Sequence, residues 1–365
     1  MRLNVPLTGK DELEAISGVL ESGYLTQGPR AAEFEDGVRA VTSSDHAFAV
    51  SSATTGLHLS LVALGVEAGD EVIMPAFSFP ATANAVAQQG AIPVFVDIRP
   101  DTFNIDPALI SAAVTPRTKA IMPVHAFGLT ADMDPINEVA RHHGLPVIED
   151  AACALGASYH GRFAGSLATA GVFSFHPRKI ITTGEGGMIT TDDADLADRL
   201  QVLRTHGAVR GELFMEFVDV GFNYRMSDVH AAIGLAQLAK LDWILSRRRE
   251  LARELSQRLD QISGVRTPVV PDGLEHSFQS YVVALDPSID RDEVIRRMRG
   301  HDVETTLGTY GMHLQPVFVE RFGSQEARLP NATEAHRQAL TLPLYPQLTP
   351  ADLDTIAAAL SASVA

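Results

Sequence analysis

Strand-length apolar runs alternate with helical segments from about residue 45 to 205. The run "IPVFVDI" at 92–98 precedes the helical "DPALISAAV", and "KAIMPV" at 119–124 precedes "DPINEVARHHG". Continuous apolar strands between helices are typical of a parallel sheet whose two faces are both covered, because each strand is then buried on both sides. The sequence therefore predicts an α/β fold built on a mostly parallel, helix-covered sheet.

A second part of the chain follows a long helical region. Ser227 is a predicted N-cap for this region, which ends before the Pro-rich "RTPVVPDG" at 266–273. A shorter α+β segment completes the chain. We predict a large domain of residues 1–245, including an N-terminal arm at 1–30, and a smaller C-terminal α+β domain of residues 246–365.

Charge and cysteine content restrict the class of partner. The net charge of −16 argues against a broad nucleic-acid or anionic-membrane surface. Cys153 is the single cysteine, so no internal disulfide framework exists, as is usual in a reducing compartment. The N-terminus has no apolar signal-peptide region, and the apolar runs are too short to span a bilayer. We expect a soluble cytoplasmic protein without nucleic-acid or membrane partners.

Lys179 lies between a β-run and a Gly-rich turn, in "FSFHPRKIITTGEGGM" at 173–188. A lysine near a core must be paired, snorkelled or neutralised. A lysine that forms a Schiff base needs a partly deprotonated amine, and desolvation provides one. Two interpretations stand at this point: a solvated lysine in a turn, or an amine placed for covalent chemistry.

Asp150 ends the predicted strand "LPVIED". Ligands of open α/β sheets bind outside the carboxyl ends of the strands. A carboxylate in that place can keep the pyridine nitrogen of pyridoxal phosphate (PLP) protonated, which makes the ring an electron sink. Glu149 is a competitor for this role, and a helix-capping aspartate is the alternative interpretation of Asp150.

A candidate phosphate cradle lies between a strand and a helix, in "SSATTG" at 51–56. Small residues at a helix N-terminus let backbone amides approach a phosphate. Thr54 and Thr55 can add hydroxyl donors, and Ser174 can reach a phosphate from the strand before Lys179. The alternative is an ordinary Ser/Thr helix cap.

Phe79 follows another predicted strand, in "PAFSFPAT". An aromatic ring there could stack on a pyridine ring with a gain of about 1 kcal/mol, although a single Phe is more often part of a core. A PLP enzyme needs a lysine, a carboxylate, a phosphate cradle and an aromatic ring, and the chain has a candidate for each.

A nicotinamide dehydrogenase would need a GxGxxG turn after an early strand, which is absent. No His/Cys/Asp/Glu spacing indicates a metal site.

Eight ordered segments along nearly the whole chain carry a family resemblance. They are "SGYLTQGPRAAEFE", "VSSATTGLHLSL", "GDEVIMPAFSFPATANAV", "PVFVDI", "TPRTKAIMPVHAFG", "VIEDAACALGASYHGR", "FSFHPRKIITTGEGGMITT" and "GFNYRMSDVHAAIG". This set resembles the PLP-dependent nucleotide-sugar aminotransferases of the DegT type, which have the fold type I, aspartate aminotransferase-like architecture.

The resemblance implies a role for each candidate residue. Lys179 is expected to form the Schiff base with PLP and then to shuttle the proton. Asp150 is expected to pair with the pyridine nitrogen, and Phe79 to stack on the ring. The residues that match phosphate contacts are Thr54, Thr55 and Ser174.

The same resemblance implies a homodimer with shared active sites. Asn223 in "GFNYRM" matches a residue that the partner subunit gives to the phosphate, and Arg225 is a second candidate. Cys153 departs from the family pattern, because many members have Gln there, near the cofactor's 3′-oxygen, and cysteine is a much weaker hydrogen-bond partner. A dehydratase branch has His at the lysine position, so Lys179 favours transamination.

The implied reaction is ping-pong transfer of an amino group from L-glutamate to a nucleotide-linked keto-deoxy-sugar. The loop "YLTQG" at 24–28, including Thr26, and the segment "TYGMHLQP" at 309–316, including His313, are expected to line the sugar site. Two alternatives remain: a keto-cyclitol as acceptor, or a PLP-binding regulatory protein without turnover. Against the second, the chain has no appended helix-turn-helix domain and no basic face.

Overall fold

A computed structural model describes residues 1–365. None of its helices is both long enough and apolar enough to cross a membrane. Three short 3₁₀ turns accompany thirteen α-helices. The α-helices are α1 (Lys10–Ser22), α2 (Pro29–Thr42), α3 (Ala53–Ala63), α4 (Ala81–Gln88), α5 (Pro107–Ala113), α6 (Met133–His143), α7 (Ala194–Arg204), α8 (Asp228–Leu238), α9 (Leu241–Leu259), α10 (Arg291–Gly300), α11 (Pro316–Phe322), α12 (Pro330–Gln338) and α13 (Pro350–Val364).

Eighteen β-strands, many of them only two residues long, complete the secondary structure. They are β1 (His46–Val50), β2 (Glu71–Pro75), β3 (Phe77–Ser78), β4 (Ile92–Val96), β5 (Thr118–Ile121), β6 (Ile148–Asp150), β7 (Ser158–Tyr159), β8 (Arg162–Phe163), β9 (Ala170–Ser174), β10 (Gly187–Thr191), β11 (Ala208–Arg210), β12 (Met215–Phe217), β13 (Val265–Arg266), β14 (Leu274–Glu275), β15 (Tyr281–Leu285), β16 (Thr306–Leu307), β17 (Tyr310–Gly311) and β18 (Ala339–Leu342).

The central sheet has the strand order β4-β2-β5-β6-β9-β10-β1. Two sheets, β4-β2-β5 and β1-β10-β9-β6, are joined by parallel bridges from Ile121 to Val147 and from Val124 to Asp150. Only β10 runs against its neighbours, and all other adjacent pairs are parallel. The predicted α/β class and mostly parallel sheet are confirmed.

Three strands of this sheet lead, at their carboxyl ends, to residues that we singled out from the sequence. Strand β2 leads through β3 to the loop around Phe79, β6 ends at Asp150, and β9 ends at Ser174. Because parallel strands present their carboxyl ends at one edge, residues far apart in sequence are collected there.

Helix α9 belongs to two hydrophobic clusters. Leu241 and Leu245, near its start, pack in the cluster that contains Phe175, in the loop 175–186 between β9 and β10 that carries Lys179 and is called the lysine loop below. Leu251 and Leu259 pack in a different cluster, against the antiparallel sheet β13-β15-β18-β16. The domain boundary that we expected near residue 245 falls within this continuous helix and stays a prediction.

The N-terminal arm contacts both parts of the chain. Glu12 of α1 accepts hydrogen bonds from Gln237 and from Lys240, both at 2.7 Å, which fastens α1 to the end of α8. Ahead of α1, the amide of Leu3 donates to Glu304 at 3.0 Å, close to β16. The arm therefore contacts α8 at one end and the region of β16 at the other.

Candidate active site

The lysine loop is a closed loop between β9 and β10. The amide of Phe175 donates to the carbonyl of Gly186 at 2.9 Å, and the amide of Thr183 donates back to the carbonyl of Phe175 at 2.9 Å. These bonds continue the antiparallel pairing of the two strands beyond their ends. They close the base of the loop at the edge of the sheet.

Lys179 is half-buried, and its side chain points inward. Its Nζ donates to Sγ of Cys153 at 3.1 Å, while its own amide closes a turn on the carbonyl of His176 at 2.8 Å. Cys153 follows β6 by three residues, so the amine of Lys179 lies close to the end of the strand that carries Asp150. Lys179 is therefore not a fully solvated lysine, and its role in covalent chemistry stays a prediction.

Asp150 is a buried carboxylate, 5% exposed. Its Oδ2 accepts from Oγ1 of Thr82 at 2.7 Å, and its Oδ1 accepts from the amide of Ala152 at 3.2 Å. Neither partner is a cation, so the negative charge remains available to a positively charged group. Thr82, in the first turn of α4, was not among the residues that we singled out.

Glu149 is fully buried on the other side of the strand. Its carboxylate accepts from the amides of Gly165 and Leu167, both at 2.8 Å, and lies 2.8 Å from Nε2 of His125. Successive side chains of a strand point to opposite faces. Glu149 is therefore committed to the fold, and Asp150 is the carboxylate that faces the strand ends.

The candidate phosphate cradle is a capped helix N-terminus. Ser52 is the N-cap of α3: its Oγ accepts from the amide of Thr55 at 3.2 Å, and Thr55 Oγ1 accepts from the amide of Ser52 at 3.1 Å. The hydroxyl of Thr54 makes no hydrogen bond. The first amides of a helix have no intrahelical partner and carry positive partial charge. Thr55 thus serves the cap, and Thr54 with the free amides can meet an anion.

Strand β10 begins close to the cradle, at Gly187. Gly187 pairs with Val50 on one side and with Ser174 on the other. A Cβ at Gly187 would lie 2.5 Å from the carbonyl carbon of Ser52 and 2.6 Å from the nitrogen of Ala53. Only glycine permits this approach, which brings Ser174 to the edge of the cradle.

Arg225 provides an unpaired cationic group in the same place. Its Nη1 is buried and has no hydrogen-bond partner. Its backbone bridges to Val50, the residue before the cradle, and the amide of Ser51 donates to the carbonyl of Tyr224 at 2.8 Å. Asn223, two residues earlier, is exposed. A buried guanidinium nitrogen without an acceptor fits an anionic group that the chain itself does not contain.

Phe79 presents a large exposed aromatic surface. Its residue is 65% exposed, and its ring centroid lies 6.3 Å from that of Tyr310 on β17, which pairs with β3. Thr82 Oγ1 also donates to the carbonyl of Phe79 at 3.2 Å, so this loop and Asp150 share a partner. Tyr310 was missed, although it lies in the segment at 309–316 that we expected to line the sugar site.

His313 occupies the interior and not the surface of that segment. It is 2% exposed, its Nε2 lies 2.8 Å from Oγ1 of Thr333, and burial lowers its pKa. Periodicity could not reveal this, because the residue sits in a short 3₁₀ turn whose buried side is set by α12. The structure gives His313 a packing role, and we do not retain it as a substrate contact.

The loop that contains Thr26 is held by Asp228, a residue 200 positions away from Gly28 in the sequence. Thr26 is exposed, and the loop ends where Oδ1 of Asp228 accepts from the amides of Gly28 at 2.7 Å and Ala31 at 3.1 Å. Asp228, the first residue of α8, thereby caps α2 as well. Its role was missed, although it follows the quoted "GFNYRM" segment directly.

The residues present fit PLP. The free amides of α3 and the orphaned nitrogen of Arg225 suit a phosphate. Asp150 suits a protonated pyridine nitrogen, and the inward amine of Lys179 suits a Schiff base. A lysine and an aspartate at the carboxyl edge of a mostly parallel, helix-covered sheet define the fold type I class of PLP-dependent enzymes.

The chain belongs to the DegT/DnrJ/EryC1/StrS aminotransferase family, which its sequence matches over residues 6–361. It is 44% identical to GDP-perosamine synthase of Caulobacter vibrioides, over 90% of this chain and 88% of the relative. It is therefore a PLP-dependent aminotransferase of a family of sugar aminotransferases.

Solved structures share the fold over nearly the whole chain. S. venezuelae DesV, in complex with a ketimine intermediate, has 35% sequence identity and a TM-score of 0.91, covering 96% of this chain and 93% of that one. The PLP-form of a putative sugar aminotransferase from Streptococcus pneumoniae has 27% identity and a TM-score of 0.95, covering 100% and 98%. Use of PLP is thus a property of structural relatives with this fold.

Proposed function

We propose that this aminotransferase moves an amino group from L-glutamate to a nucleotide-linked keto-deoxy-sugar and so forms an amino sugar. The observation that carries the proposal is the inward orientation of the Lys179 amine, next to the strand that ends at Asp150. The nucleotide-linked acceptor is supported by the similarity to GDP-perosamine synthase, whose name specifies a nucleotide-linked amino sugar.

Lys179 and Asp150 divide the chemistry in this proposal. When bound, PLP supplies the electron sink that allows an α-hydrogen of the amino donor to leave as a proton. The amine of Lys179 would hold the cofactor and, once released, carry that proton from one carbon to another. Asp150 would hold a positive charge at the ring nitrogen, while Thr82 keeps the accepting oxygen in place.

The remaining candidate residues would hold and orient the cofactor and the sugar. Thr54 and Ser174 would donate to the phosphate beside the positive end of α3, and Arg225 would contribute charge. Phe79 would cover one face of the ring, a contact worth about 1 kcal/mol. Thr26 stays a candidate for the sugar because its loop is exposed yet anchored at Gly28.

A homodimer with shared sites is the assembly that we infer. The hairpin β11–β12 exposes large apolar side chains, among them Phe214 at 81% and Phe217 at 71%. Such a surface is unfavourable in water unless another molecule covers it. Asn223 follows this hairpin closely and is itself exposed, so its amide is free to act in a partner's site.

An absorbance experiment tests the first half-reaction. Wild type, Lys179→Ala and a control, Lys119→Ala at an exposed lysine, are loaded with PLP and then given L-glutamate. We expect the visible cofactor band to bleach to a near-ultraviolet band in wild type and control only. A wild type that resembles Lys179→Ala would overturn the assignment of Lys179. A wild type that binds PLP without bleaching would favour the regulatory interpretation, and a screen of keto-sugars against keto-cyclitols then identifies the acceptor.

Mixed subunits test the shared site. Lys179→Ala and Asn223→Asp variants are each expected to be inactive, whereas their mixture after refolding or exchange should regain activity. Recovery requires that Asn223 serves the site of the other subunit, because one of the two sites in a mixed dimer is then intact. A mixture with no more activity than its components contradicts the shared site.

A further inference from the structure

A polar cavity of about 90 Å³ lies between the N-terminal arm, the lysine loop and the strands β16 and β18. No carboxylate is among the residues that line it. Its polar lining comprises Asn4, Arg178, Gln279, Ser280, Thr306 and Thr341. A cationic cavity without a carboxylate is notable in a chain with a net charge of −16.

Arg178 is the charged group of this cavity, and it is uncommitted. Its guanidinium makes no ion pair and no hydrogen bond in the chain, while its carbonyl accepts from Nε2 of Gln279 at 2.7 Å. The hydroxyl of Thr306 is also free of partners. Glu304, nearby on the arm side, accepts from the amide of Leu3 at 3.0 Å and does not line the cavity.

The cavity is connected to the amine of Lys179 by a short segment. Residues 277–280 contact Arg178 through Gln279 and contact Cys153 through Ser277, whose Oγ donates to the carbonyl of Cys153 at 3.0 Å. Cys153 is also the partner of Lys179 Nζ. A ligand anchored at Arg178 would therefore lie beside the segment that contacts Cys153, which is the hydrogen-bond partner of the Lys179 amine.

We propose that Arg178, with the hydroxyl of Thr306, binds a carboxylate of the amino donor. This inference rests on the proposed function and adds the residue that recognises the donor. A guanidinium matches a carboxylate with two parallel hydrogen bonds, and the unpaired hydroxyl of Thr306 can donate to the same oxygens. The cavity is far smaller than the roughly 300–1,000 Å³ typical of pockets for larger ligands, so a carboxylate fits it and a nucleoside diphosphate does not.

Direct binding tests the site without turnover. Calorimetry measures the affinity of glutarate, a dicarboxylate without an amine, for the PLP-loaded enzyme. We expect Arg178→Gln to weaken glutarate binding about tenfold or more, because a charge-assisted pair is lost. Thr306→Val should weaken it about threefold, as loss of a neutral hydrogen bond does. Arg296→Gln, an exposed arginine on α10, is the matched control and should bind as wild type does.

Half-reaction kinetics add a second readout. The apparent Kd for L-glutamate should rise in Arg178→Gln, while the rate at saturating donor stays close to that of wild type. Arg178→Lys keeps the charge without the fork geometry and should lie between the two. It also tests the proposal if Arg178→Gln does not fold.

Two outcomes separate failure of this site from failure of the proposed function. If wild type converts L-glutamate but Arg178→Gln and Arg178→Lys bind glutarate unchanged, the carboxylate site is overturned and the reaction stands. If both variants lose affinity for a nucleoside diphosphate and not for glutarate, the cavity serves the acceptor and the proposal is wrong. If wild type converts no L-glutamate, the donor itself is wrong.

Discussion

The amine of Lys179 and the thiol of Cys153 are hydrogen-bonded at 3.1 Å, although 26 residues separate them in the sequence. Cys153 lies three residues after Asp150. Because it is the only cysteine of the chain, its reactivity reports on this one place in the molecule.

Loading with PLP should therefore protect Cys153 from alkylation. In the cofactor-free protein the half-buried thiol is next to a free amine, whereas a bound cofactor would occupy the space between Asp150 and Lys179. The measurement is the rate of iodoacetamide incorporation by mass spectrometry, with and without PLP. Equal rates in the two states would place the cofactor elsewhere.

Thr82→Val should slow turnover about tenfold without preventing PLP binding. The change removes the hydroxyl that donates to Asp150 at 2.7 Å, and hydrogen bonds to charged groups contribute about 1.5–3 kcal/mol. Ser78→Ala is the control, because Ser78 lies 2.9 Å from the Thr82 hydroxyl and does not contact Asp150. The measurement is kcat for the two variants. An equal loss of kcat in Thr82→Val and Ser78→Ala would contradict a direct role for Thr82.

Gly187→Ala should raise the Kd for PLP. Expressed as a free energy, this loss of affinity should exceed the loss in the free energy of unfolding. The new methyl group would collide with the backbone of Ser52 and Ala53, at 2.5 and 2.6 Å, and so displace the start of α3. Gly18→Ala is the control, since a Cβ there meets no atom within 4 Å. Fluorescence titration with PLP measures the effect, and an unchanged Kd in Gly187→Ala would exclude the α3 N-terminus as the cradle.

Asp228→Ala should lower the free energy of unfolding by about 2 kcal/mol or more. The carboxylate accepts from the amides of Gly28, Arg30 and Ala31, so its loss removes a helix cap and leaves these donors without partners. Urea unfolding measures the change, with Asp242→Ala at an exposed site on α9 as control. Limited proteolysis should also cut the loop at 24–28 faster in Asp228→Ala. Unaltered proteolysis would mean that other contacts hold the loop.

His276 should make the fold less stable in acid. Burial, reinforced by the charge of Arg249, lowers the pKa of His276 to about 3, whereas the unfolded chain has the ordinary value of 6.5. Below pH 6.5 the unfolded state therefore binds a proton that the folded state does not. The stabilisation is complete above pH 6.5 and is lost as the pH falls toward 3, and about 2 kcal/mol of it is already lost at pH 5.

His276→Asn isolates this contribution. Asparagine can keep an acceptor for the amide of Phe278, which donates to Nδ1 of His276 at 2.8 Å, but it does not titrate. Urea unfolding at pH 8 and at pH 5 should give a smaller difference in the variant than in wild type. A difference of the same size in both would show that His276 is protonated equally in the two states.

The sequence predicted what depends on local pattern. Apolar runs and their spacing indicated the mostly parallel sheet, and strand ends indicated Asp150 and the lysine loop. It could not indicate partners that the fold brings from far away. Thr82 is 68 residues from Asp150, and Gly28 is 200 residues from Asp228. No periodicity encodes such pairs, so the groups that orient the site emerged only from the structure.

The burial of His313 could not be predicted for the same reason. His313 and Tyr310 lie in one segment, 309–316, in which we singled out only His313. Burial of a residue in a short turn depends on what packs over it, here Thr333 of α12, and the segment alone does not contain that information. Pairing of β17 with β3 instead brings Tyr310 next to Phe79.

Helix α9 determines how the chain can be divided. Since Leu245 and Leu251 belong to different hydrophobic clusters on one uninterrupted helix, a cut near residue 245 leaves each fragment with half of a helix and an uncovered apolar face. Fragments made there are expected to be insoluble apart. A split version of this enzyme should instead be opened in the exposed Pro-rich segment at 266–273, where the whole of α9 stays with the part that carries Lys179.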